Sequence, residues 1–352
     1  MSAIRRFTFG HNQTVIQDIT TTPINIAFSG YNRSTLAPNG KLYFEPSTET
    51  QILEFDPITN AFQKVGQILA SGSTEDKYIG SALAPNGNIY FAPSNANQIL
   101  ELNPNTLTTQ LVGAVLVGAG YKYSSITLAE NGKMYLGGLS AGNILEFNPN
   151  TYATQLFGNT GGDFAYIGGR LATNGKIYLS PFNASQILEI NTTTLTTQLV
   201  GQSLSSSVIK YENVKLARNG NLYFIPRNAN QVLELNTATL TTQMVGSIDN
   251  NLAKYLDAEI ALNGKIYFAP FFNQKVLEFD TNTYASQEVG DNYNGYAGAK
   301  LAPNGNIYLS PTFVSNILKI SGTNIPNVMG ADAILPTDLS TLATSNYNKY
   351  YN

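Results

Sequence analysis

Five charged side chains are the residues of this sequence whose types and spacing could do chemistry together. They lie four or six residues before a repeated Asn-Gly pair, in consecutive copies of one pattern, and they are Arg170, Lys215, Asp257, Glu259 and Lys300. Cations and carboxylates placed together either neutralise one another around a water-filled space or bind a polar ligand. Mutual neutralisation is the favoured interpretation, because an unpaired charge inside a protein is costly. Ligand binding is the alternative.

Other catalytic groups are scarce in the sequence. His11 is the one histidine, and it lies in a polar segment outside the repeats, while cysteine is absent. Acid–base catalysis by histidine needs a set of partners around the ring, and the sequence signals none. The segment 291–295 looks slightly like a calcium loop but lacks the regular acidic spacing and the closing Glu. We therefore predict no catalytic residues, no metal and no cofactor, and we expect the chain not to be an enzyme.

The charged residues are positioned by a pattern that occurs seven times. An Asn-Gly pair marks each copy, with neighbouring copies 41 to 47 residues apart, at Gly40, Gly87, Gly132, Gly175, Gly220, Gly264 and Gly305. A period in the mid-forties is typical of one supersecondary unit per repeat. Four short strands are predicted in the second copy, over 78–84, 88–92, 98–102 and 108–112. The Asn-Gly pair between the first two fits a type I′ turn, with positive φ at both residues. The sequence therefore predicts an all-β fold, a seven-bladed β-propeller of four-stranded antiparallel blades.

Two tyrosines per repeat keep a fixed distance from the Asn-Gly pair. The first set lies eight residues before the Asn and consists of Tyr31, Tyr78, Tyr123, Tyr166, Tyr211, Tyr255 and Tyr296. The second set lies three residues after it and consists of Tyr43, Tyr90, Tyr135, Tyr178, Tyr223, Tyr267 and Tyr308. Seven-fold repetition is what the packing of equivalent blades demands, so we expect most of these residues to be structural. As an alternative, a ring of aromatic faces at the mouth of the channel would suit stacking on sugars.

The candidate binding residues are the first tyrosine set together with the five charged residues. They start or line the predicted innermost strand of each blade. The loops that enter this strand differ in length and content, as the segments 67–77 and 114–122 show, whereas every hairpin is built on the same two residues. Variable loops on a rigid scaffold are where binding usually resides. We therefore expect a partner to contact the face opposite the Asn-Gly hairpins.

The predicted propeller spans residues 29–330 and is flanked by two segments that depart from the repeat. Residues 1–28 contain two strand-like stretches, one of which is expected to pair with the last blade and close the ring, because closure removes an exposed sheet edge. The alternative is that both ends stay local. Residues 331–352 form a tail that is rich in Ser, Thr and Tyr. Such a tail either stays on the surface or docks on a neighbouring subunit.

The composition excludes two classes of partner. Charged residues make up 12% of the chain, and 20 Lys and Arg face 23 Asp and Glu, so no basic patch for nucleic acid is expected. No apolar run approaches the roughly 18 residues that a membrane span requires, so no membrane insertion is predicted. The amino terminus lacks the hydrophobic core of a signal peptide, which predicts a cytoplasmic or virion location.

The repeat resembles the blade motif of the NHL, streptogramin lyase and lactonase-type propellers. The stretch from Leu301 to Leu309, Leu-Ala-Pro-Asn-Gly-Asn-Ile-Tyr-Leu, carries this resemblance, which covers about residues 29–320. The resemblance implies a histidine and a magnesium site for a lyase, but no repeat here contains a histidine. For a lactonase it implies calcium ligands, which Asn213, Asp257 and Glu259 could imitate. The tail, over 335–339 and 345–351, looks like the ends of tailed-phage virion proteins.

These observations predict a non-catalytic binding or assembly propeller. The specific hypothesis is a phage virion component, structural or used in host attachment, which would assemble or form a homo-oligomer through its terminal segments. Its partner would be a protein or a cell-surface glycan. A lectin-like, glycan-binding propeller is the first alternative. A metal-dependent enzyme of the lactonase or lyase type is the second.

Overall fold

The computed structural model describes residues 15–19, 30–69, 76–118, 120–205, 209–249 and 251–323. Within these residues the chain forms strands and no helix, and the strands make seven sheets of four. Neighbouring strands in every sheet are antiparallel, and the sheets pack side by side in a ring. The predicted all-β, seven-bladed propeller is thus confirmed. No helix that is long and apolar enough to cross a membrane occurs in the described part of the chain.

The first four blades follow one another along the chain. Blade 1 contains β2 (Tyr31–Leu36), β3 (Leu42–Pro46), β4 (Ile52–Phe55) and β5 (Phe62–Val65). Blade 2 contains β6 (Tyr78–Leu83), β7 (Ile89–Pro93), β8 (Ile99–Asn103) and β9 (Thr108–Val112). Blade 3 contains β10 (Tyr123–Leu128), β11 (Met134–Gly138), β12 (Ile144–Phe147) and β13 (Thr154–Phe157). Blade 4 contains β14 (Tyr166–Leu171), β15 (Ile177–Pro181), β16 (Ile187–Asn191) and β17 (Thr196–Val200).

The last three blades complete the ring. Blade 5 contains β18 (Tyr211–Leu216), β19 (Leu222–Pro226), β20 (Val232–Asn236) and β21 (Thr241–Val245). Blade 6 contains β22 (Tyr255–Ile260), β23 (Ile266–Pro270), β24 (Val276–Phe279) and β25 (Ser286–Val289). Blade 7 contains β26 (Tyr296–Leu301), β27 (Ile307–Pro311) and β28 (Ile317–Ser321) from the end of the described chain, and β1 (Val15–Ile19) from its beginning. The first strand of each blade lines the channel. We call the face where these strands begin the entrance face and the opposite one the hairpin face.

Blade 7 closes the ring with strands from both ends of the chain. β1 pairs antiparallel with β28, in a register that runs from Val15 opposite Ser321 to Ile19 opposite Ile317. The fourth strand of this blade therefore comes from the amino-terminal segment. On the hairpin face the Asn304 amide donates to the carbonyl oxygen of Pro57 at 2.9 Å, which links blade 7 to blade 1.

The Asn-Gly hairpins differ from the predicted type I′ turn. In blade 2 the N–H of Gly87 donates to the carbonyl of Ala84 at 3.0 Å, and the N–H of Ala84 donates to the carbonyl of Asn88 at 2.9 Å. Gly87 has a φ of 83°, whereas Asn86 keeps a negative φ. This is a type I turn over Pro85 and Asn86 that is followed by a left-handed glycine. The turn forms because proline fixes a negative φ, and because the Asn86 side chain accepts the N–H of Asn88 at 3.1 Å.

The second tyrosine set forms the packing layer between blades, as predicted. All seven of these side chains are at most 1% exposed. In every blade the Asn of the Asn-Gly pair donates to the tyrosine hydroxyl at 2.8–2.9 Å. In blades 1 to 6 that hydroxyl donates to a buried Glu of the third strand at 2.6–2.9 Å. The repeated Asn, Tyr and Glu are therefore one hydrogen-bonded unit that ties the hairpin to the blade core.

Candidate functional site

The first tyrosine set does not form an exposed aromatic ring. All seven side chains are at most 4% exposed, because each lies at the start of an innermost strand and packs in the core that its blade shares with the preceding blade, as Tyr78 does against Tyr43 of blade 1 and Phe91 of its own blade. Burial raises the pKa of the Tyr123 and Tyr166 hydroxyls to about 12. The alternative in which these rings stack on sugars therefore needs correction: their faces are covered by the fold, and the set is structural.

The five charged residues do come together, inside the central channel. Arg170, Lys215, Asp257, Glu259 and Lys300 all line one cavity of about 110 Å³ on the axis of the ring. The Lys215 ammonium lies 3.0 Å from the Asp257 carboxylate and 3.8 Å from that of Glu259. Asp257 also accepts hydrogen bonds from the Asn213 amide at 2.8 Å and from the N–H of Ala299 at 3.3 Å. Lys215 is thus paired with the two carboxylates of the channel set.

Lys300 is a channel group whose pKa is shifted far from its ordinary value. Burial lowers the pKa of its ammonium to about 8, and the nearby cations Lys215 and Arg170 add to this shift. The carboxylates of Glu259 and Asp257 oppose the shift because they favour the charged amine. Lys300 therefore lies in a channel that does not favour its charged form as strongly as water does.

Glu45 is a channel carboxyl that the sequence analysis did not single out. It is 1% exposed and accepts hydrogen bonds from the N–H of Gly80 and the hydroxyl of Ser81, both at 2.9 Å, and from the N–H of Arg33 at 3.3 Å. Burial raises the pKa of Glu45 in spite of these bonds and of the Arg33 charge. It lies on the second strand of its blade, so a search confined to innermost strands could not find it.

The calcium set implied by the resemblance is not free to bind a metal ion. Asn213, Asp257 and Glu259 do lie in one channel, but the Lys215 ammonium occupies the position near both carboxylates. The Asn213 amide points its NH₂ group at Asp257, so its donor side faces the place where a cation would lie. No group of three His, Cys, Asp or Glu side chains that could hold a metal occurs in the residues that the structure describes. This donor set therefore does not fit a calcium ion.

A larger cavity opens at the entrance face, and we call it the entrance bowl. Its volume is about 630 Å³, and the aromatic residues that line it are Tyr121, Phe164, Phe182, Phe271 and Phe313. They come from blades 4, 6 and 7 and from the loops that lead into blades 3 and 4. The side formed by blades 1 and 2 is more polar and carries Asn32, Thr48 and Asp76. The bowl therefore has one aromatic wall and one polar wall.

The aromatic wall consists of two ring clusters. Phe271 and Phe313 have centroids 5.0 Å apart, and Phe272 stacks on Phe313 at 6.0 Å with 58% of its surface exposed. Tyr121 and Phe164 have centroids 5.7 Å apart. Aromatic pairs at these separations hold one another in fixed orientations. The wall is thus a preformed surface rather than a set of isolated side chains.

Two arginines and a glutamate lie together in the same bowl. Arg227 donates to one oxygen of Glu212 at 2.7 Å, and Arg33 lies 3.4 Å from the other oxygen. The guanidinium of Arg227 also lies over the Phe182 ring, 5.3 Å from its centroid. The sequence analysis missed Glu212 and Arg227, although both interrupt positions that are uncharged in the other blades. The signal for both is the departure from the repeat: Glu212 precedes Asn213 on the innermost strand, and Arg227 directly follows the second strand of the same blade.

Four lysines near the same face are structural. Lys77, Lys122, Lys210 and Lys254 each donate to a backbone carbonyl, at 2.8 to 3.3 Å, and each is at most 7% exposed. Burial lowers the pKa of all four ammonium groups. Since their charges point into the junctions between blades, they add no cationic ring to the mouth of the bowl.

Comparison with known proteins places the chain by its fold. No protein-family model matches the sequence, and no match to a curated protein was found. The structure is similar to that of a streptogramin B lyase, with a TM-score of 0.69 and 14% identity over 88% of this chain and 98% of that chain. It is similar to a virginiamycin B lyase from Staphylococcus aureus, with a TM-score of 0.71 and 12% identity over 88% and 99% of the two chains. The extracellular domain of a putative one component system from B. thetaiotaomicron gives a TM-score of 0.66 at 11% identity, over 88% of this chain and 40% of that one.

This comparison corrects one prediction. The sequence analysis expected the chain not to be an enzyme, and that expectation is contradicted, because two of the similar structures are lyases built on the same fold. A further similar structure is a catalytically inactive virginiamycin B lyase with quinupristin. At 11–14% identity the likeness establishes the propeller scaffold, which lyases and extracellular domains both use.

Proposed function

We propose that this propeller binds a glycan in the entrance bowl. The observation that carries the proposal is the aromatic wall of one cavity of about 630 Å³, in which Tyr121, Phe164 and Phe313 are partly exposed while Phe182 and Phe271 are buried. A sugar ring has an apolar C–H face and a polar edge, so it suits a cavity with one aromatic and one polar wall. Ligand pockets usually have volumes of about 300–1,000 Å³ and combine apolar walls with a few placed polar groups.

The entrance face also varies more from blade to blade than the hairpin face does. On the hairpin face the same Asn–Tyr contact recurs in all seven blades, so one blade presents nearly what the next presents. On the entrance face the loop residues Val115 and Val117 are 65% and 92% exposed and line a second cavity of about 520 Å³. This asymmetry supports the entrance face as the contact surface for a partner.

We keep host attachment by a phage virion as the biological setting of this binding. The resemblance of the tail to tailed-phage virion proteins supports it, and the terminal segments would provide attachment to other copies or to other virion proteins. The location is then a virion, with the cytoplasm as the alternative, and the partner is a cell-surface glycan or a protein. The test is whether the protein purifies with intact particles. Absence of the protein from purified particles would contradict the virion setting but would leave the proposal of glycan binding in the entrance bowl intact.

The test of glycan binding compares variants of the two faces on one glycan panel. Phe164→Ala and Phe313→Ala each remove a ring of the aromatic wall, and we expect each to weaken binding about two- to tenfold, since an aromatic contact contributes about 0.5–1.5 kcal/mol. Ile58→Ala is the matched control, because Ile58 is an apolar side chain on the hairpin face with 81% of its surface exposed. Equal binding by all three variants, or loss on Ile58→Ala alone, would contradict the proposal.

A further inference from the structure

We propose that the entrance bowl selects glycans that carry a carboxylate, which Arg33 and Arg227 bind. This inference rests on the proposed function and names the class of ligand. Its starting point is that two guanidinium groups share one carboxylate: Arg227 contacts one oxygen of Glu212 at 2.7 Å and Arg33 the other at 3.4 Å. One carboxylate cannot balance two guanidinium charges. The group therefore holds an excess of positive charge.

The other carboxylates near this group do not remove the excess. Asp76 lines the polar wall, but it accepts a hydrogen bond from Ser47 and lies near the buried ammonium of Lys77, whose charged form it favours. Glu45 accepts the backbone N–H of Arg33 at 3.3 Å, and burial raises the pKa of its carboxyl. A carboxylate that entered the bowl would thus meet a site with more positive than negative charge.

The two arginines also have unused hydrogen-bond donors. Each guanidinium has five N–H groups, and Glu212 accepts from one nitrogen of each residue. Among the described residues the Nε atoms of Arg33 and Arg227 have no acceptor, although they are buried. Both arginines line the bowl, and Glu212 leaves further N–H groups of each guanidinium unused. A carboxylate bound in the bowl would accept from these groups.

The position of Arg227 is fixed before a ligand arrives. Its guanidinium lies over the Phe182 ring at 5.3 Å and is held by Glu212, so little conformational freedom is lost on binding. Its planar fork matches a carboxylate with two parallel hydrogen bonds. Phe182 packs in one cluster with Tyr121 and Phe164, so a sugar that stacks on these two partly exposed rings brings a carboxylate on its ring close to Arg227. A neutral sugar provides no carboxylate for the Arg227 guanidinium.

The experiment measures the affinity of matched acidic and neutral oligosaccharides by calorimetry. The acidic probes end in glucuronate or in N-acetylneuraminate, which separates the two common sources of a sugar carboxylate, and the neutral probe ends in glucose. We expect at least one acidic probe to bind about tenfold or more tightly than the neutral one. Arg227→Gln should remove this preference, with the neutral probe affected less than threefold. Arg227→Lys should restore part of it, since the charge stays and the fork is lost.

Glu212→Gln separates recognition from structure. This variant removes the carboxylate that competes for the two arginines, so we expect the acidic probe to bind about threefold or more tightly. A merely structural role would weaken binding of both probes instead, and thermal melting would show the loss of stability. Equal affinity for acidic and neutral probes in the wild type would overturn the inference and leave glycan binding intact. Failure of every probe and of the glycan panel would overturn the proposed function itself.

Discussion

The hydroxyl of the second tyrosine set donates to a buried Glu in six blades, whereas the seventh blade lacks this Glu. In blade 4 the Tyr178 hydroxyl accepts from Asn174 and donates to the buried Glu189 at 2.8 Å. In blade 7 the third strand carries Lys319 in place of the Glu, and the Tyr308 hydroxyl donates to the Pro57 carbonyl at 3.1 Å. The chain thus provides a charged and a neutral version of one contact.

We predict that Tyr178→Phe costs about 1.5–3 kcal/mol of unfolding free energy, because it removes a hydrogen bond to a charged group. Tyr308→Phe is the matched control and should cost about 0.5–1.5 kcal/mol, because the bonds that it loses are between neutral groups. Urea denaturation of both variants measures the difference. A larger loss for Tyr308→Phe would show that the carboxylate is not the source of the stability.

Glu45 gives a prediction about pH. Its pKa is raised in the folded state, so its contribution to stability is present below the pKa of the unfolded chain and is lost as the pH rises through the folded value. Gln can keep the geometry, with its oxygen accepting from Gly80 and Arg33 and its NH₂ donating to Ser81. Glu45→Gln should therefore be at least as stable as the wild type at pH 7, with this advantage shrinking toward pH 4.

Glu54→Gln is the control, because the pKa of Glu54 is shifted in the direction opposite to that of Glu45. Burial alone would raise the pKa of Glu54, but hydrogen bonds from Lys41, Tyr43 and Gln63 lower it. Its stabilising effect is present above the pKa of the unfolded chain and is lost as the pH falls through the folded value. Melting temperatures across pH 4–8 should thus show Glu54→Gln less stable than the wild type at pH 7. Parallel pH curves for the two variants would refute this assignment.

At the scale of the element, the innermost strands approach one another more closely than the hairpins do. Gly80 has a φ of 89° on β6, and a Cβ built there would lie 2.9 Å from the Cα of Ser125 in the next blade. Gly87 has a φ of 83° in the hairpin, and a Cβ there would meet nothing within 4 Å. The pairing register of β6 and β7 shifts between Tyr78 and Ser81, around this glycine. A substitution at Gly87 would therefore introduce backbone strain alone, whereas a substitution at Gly80 would introduce both backbone strain and a steric clash.

We predict that Gly87→Ala costs about 1–2 kcal/mol, the usual cost of a left-handed non-glycine residue. Gly80→Ala should cost about 1–3 kcal/mol more, because the added methyl group must displace the backbone of blade 3. Chemical denaturation of the two variants gives both values. Similar losses would mean that the channel lining can move apart, which would contradict tight packing of the innermost strands.

At the scale of the whole molecule, the pairing of β1 with β28 completes blade 7 with its fourth strand and covers the outer edge of β28. We predict that deletion of residues 1–19 lowers the melting temperature and promotes self-association, since an unpaired strand edge pairs with other chains. Deletion of residues 1–13 is the control, because it leaves β1 intact. Light scattering and thermal melting measure both effects. If both truncated chains stay monomeric and equally stable, β1 does not contribute to closure.

The sequence by itself determined the number of blades, the order of strands and the tyrosines that pack between blades. These follow from local pattern, because the repeat is short, each copy contains its own four strands, and equivalent blades need equivalent packing residues. The strand predictions for blade 2 differ from the observed bounds by one residue at most ends. The type of the hairpin was not determined in this way, since it depends on hydrogen bonds of the Asn86 side chain with Asn88 and Tyr90.

The tertiary structure alone decided which side chains meet at the entrance face. Arg33 and Glu212 are 179 residues apart along the chain, and they come together because the ring brings blades 1 and 5 to one mouth. The same closure buried the first tyrosine set, which a repeat pattern cannot distinguish from an exposed ring. It also placed the Lys215 ammonium between two carboxylates that the sequence offered as metal ligands. The sequence period determines the strands and the packing residues of each blade. The side-chain contacts in the entrance bowl and the channel depend on distances across the ring, which no local pattern encodes.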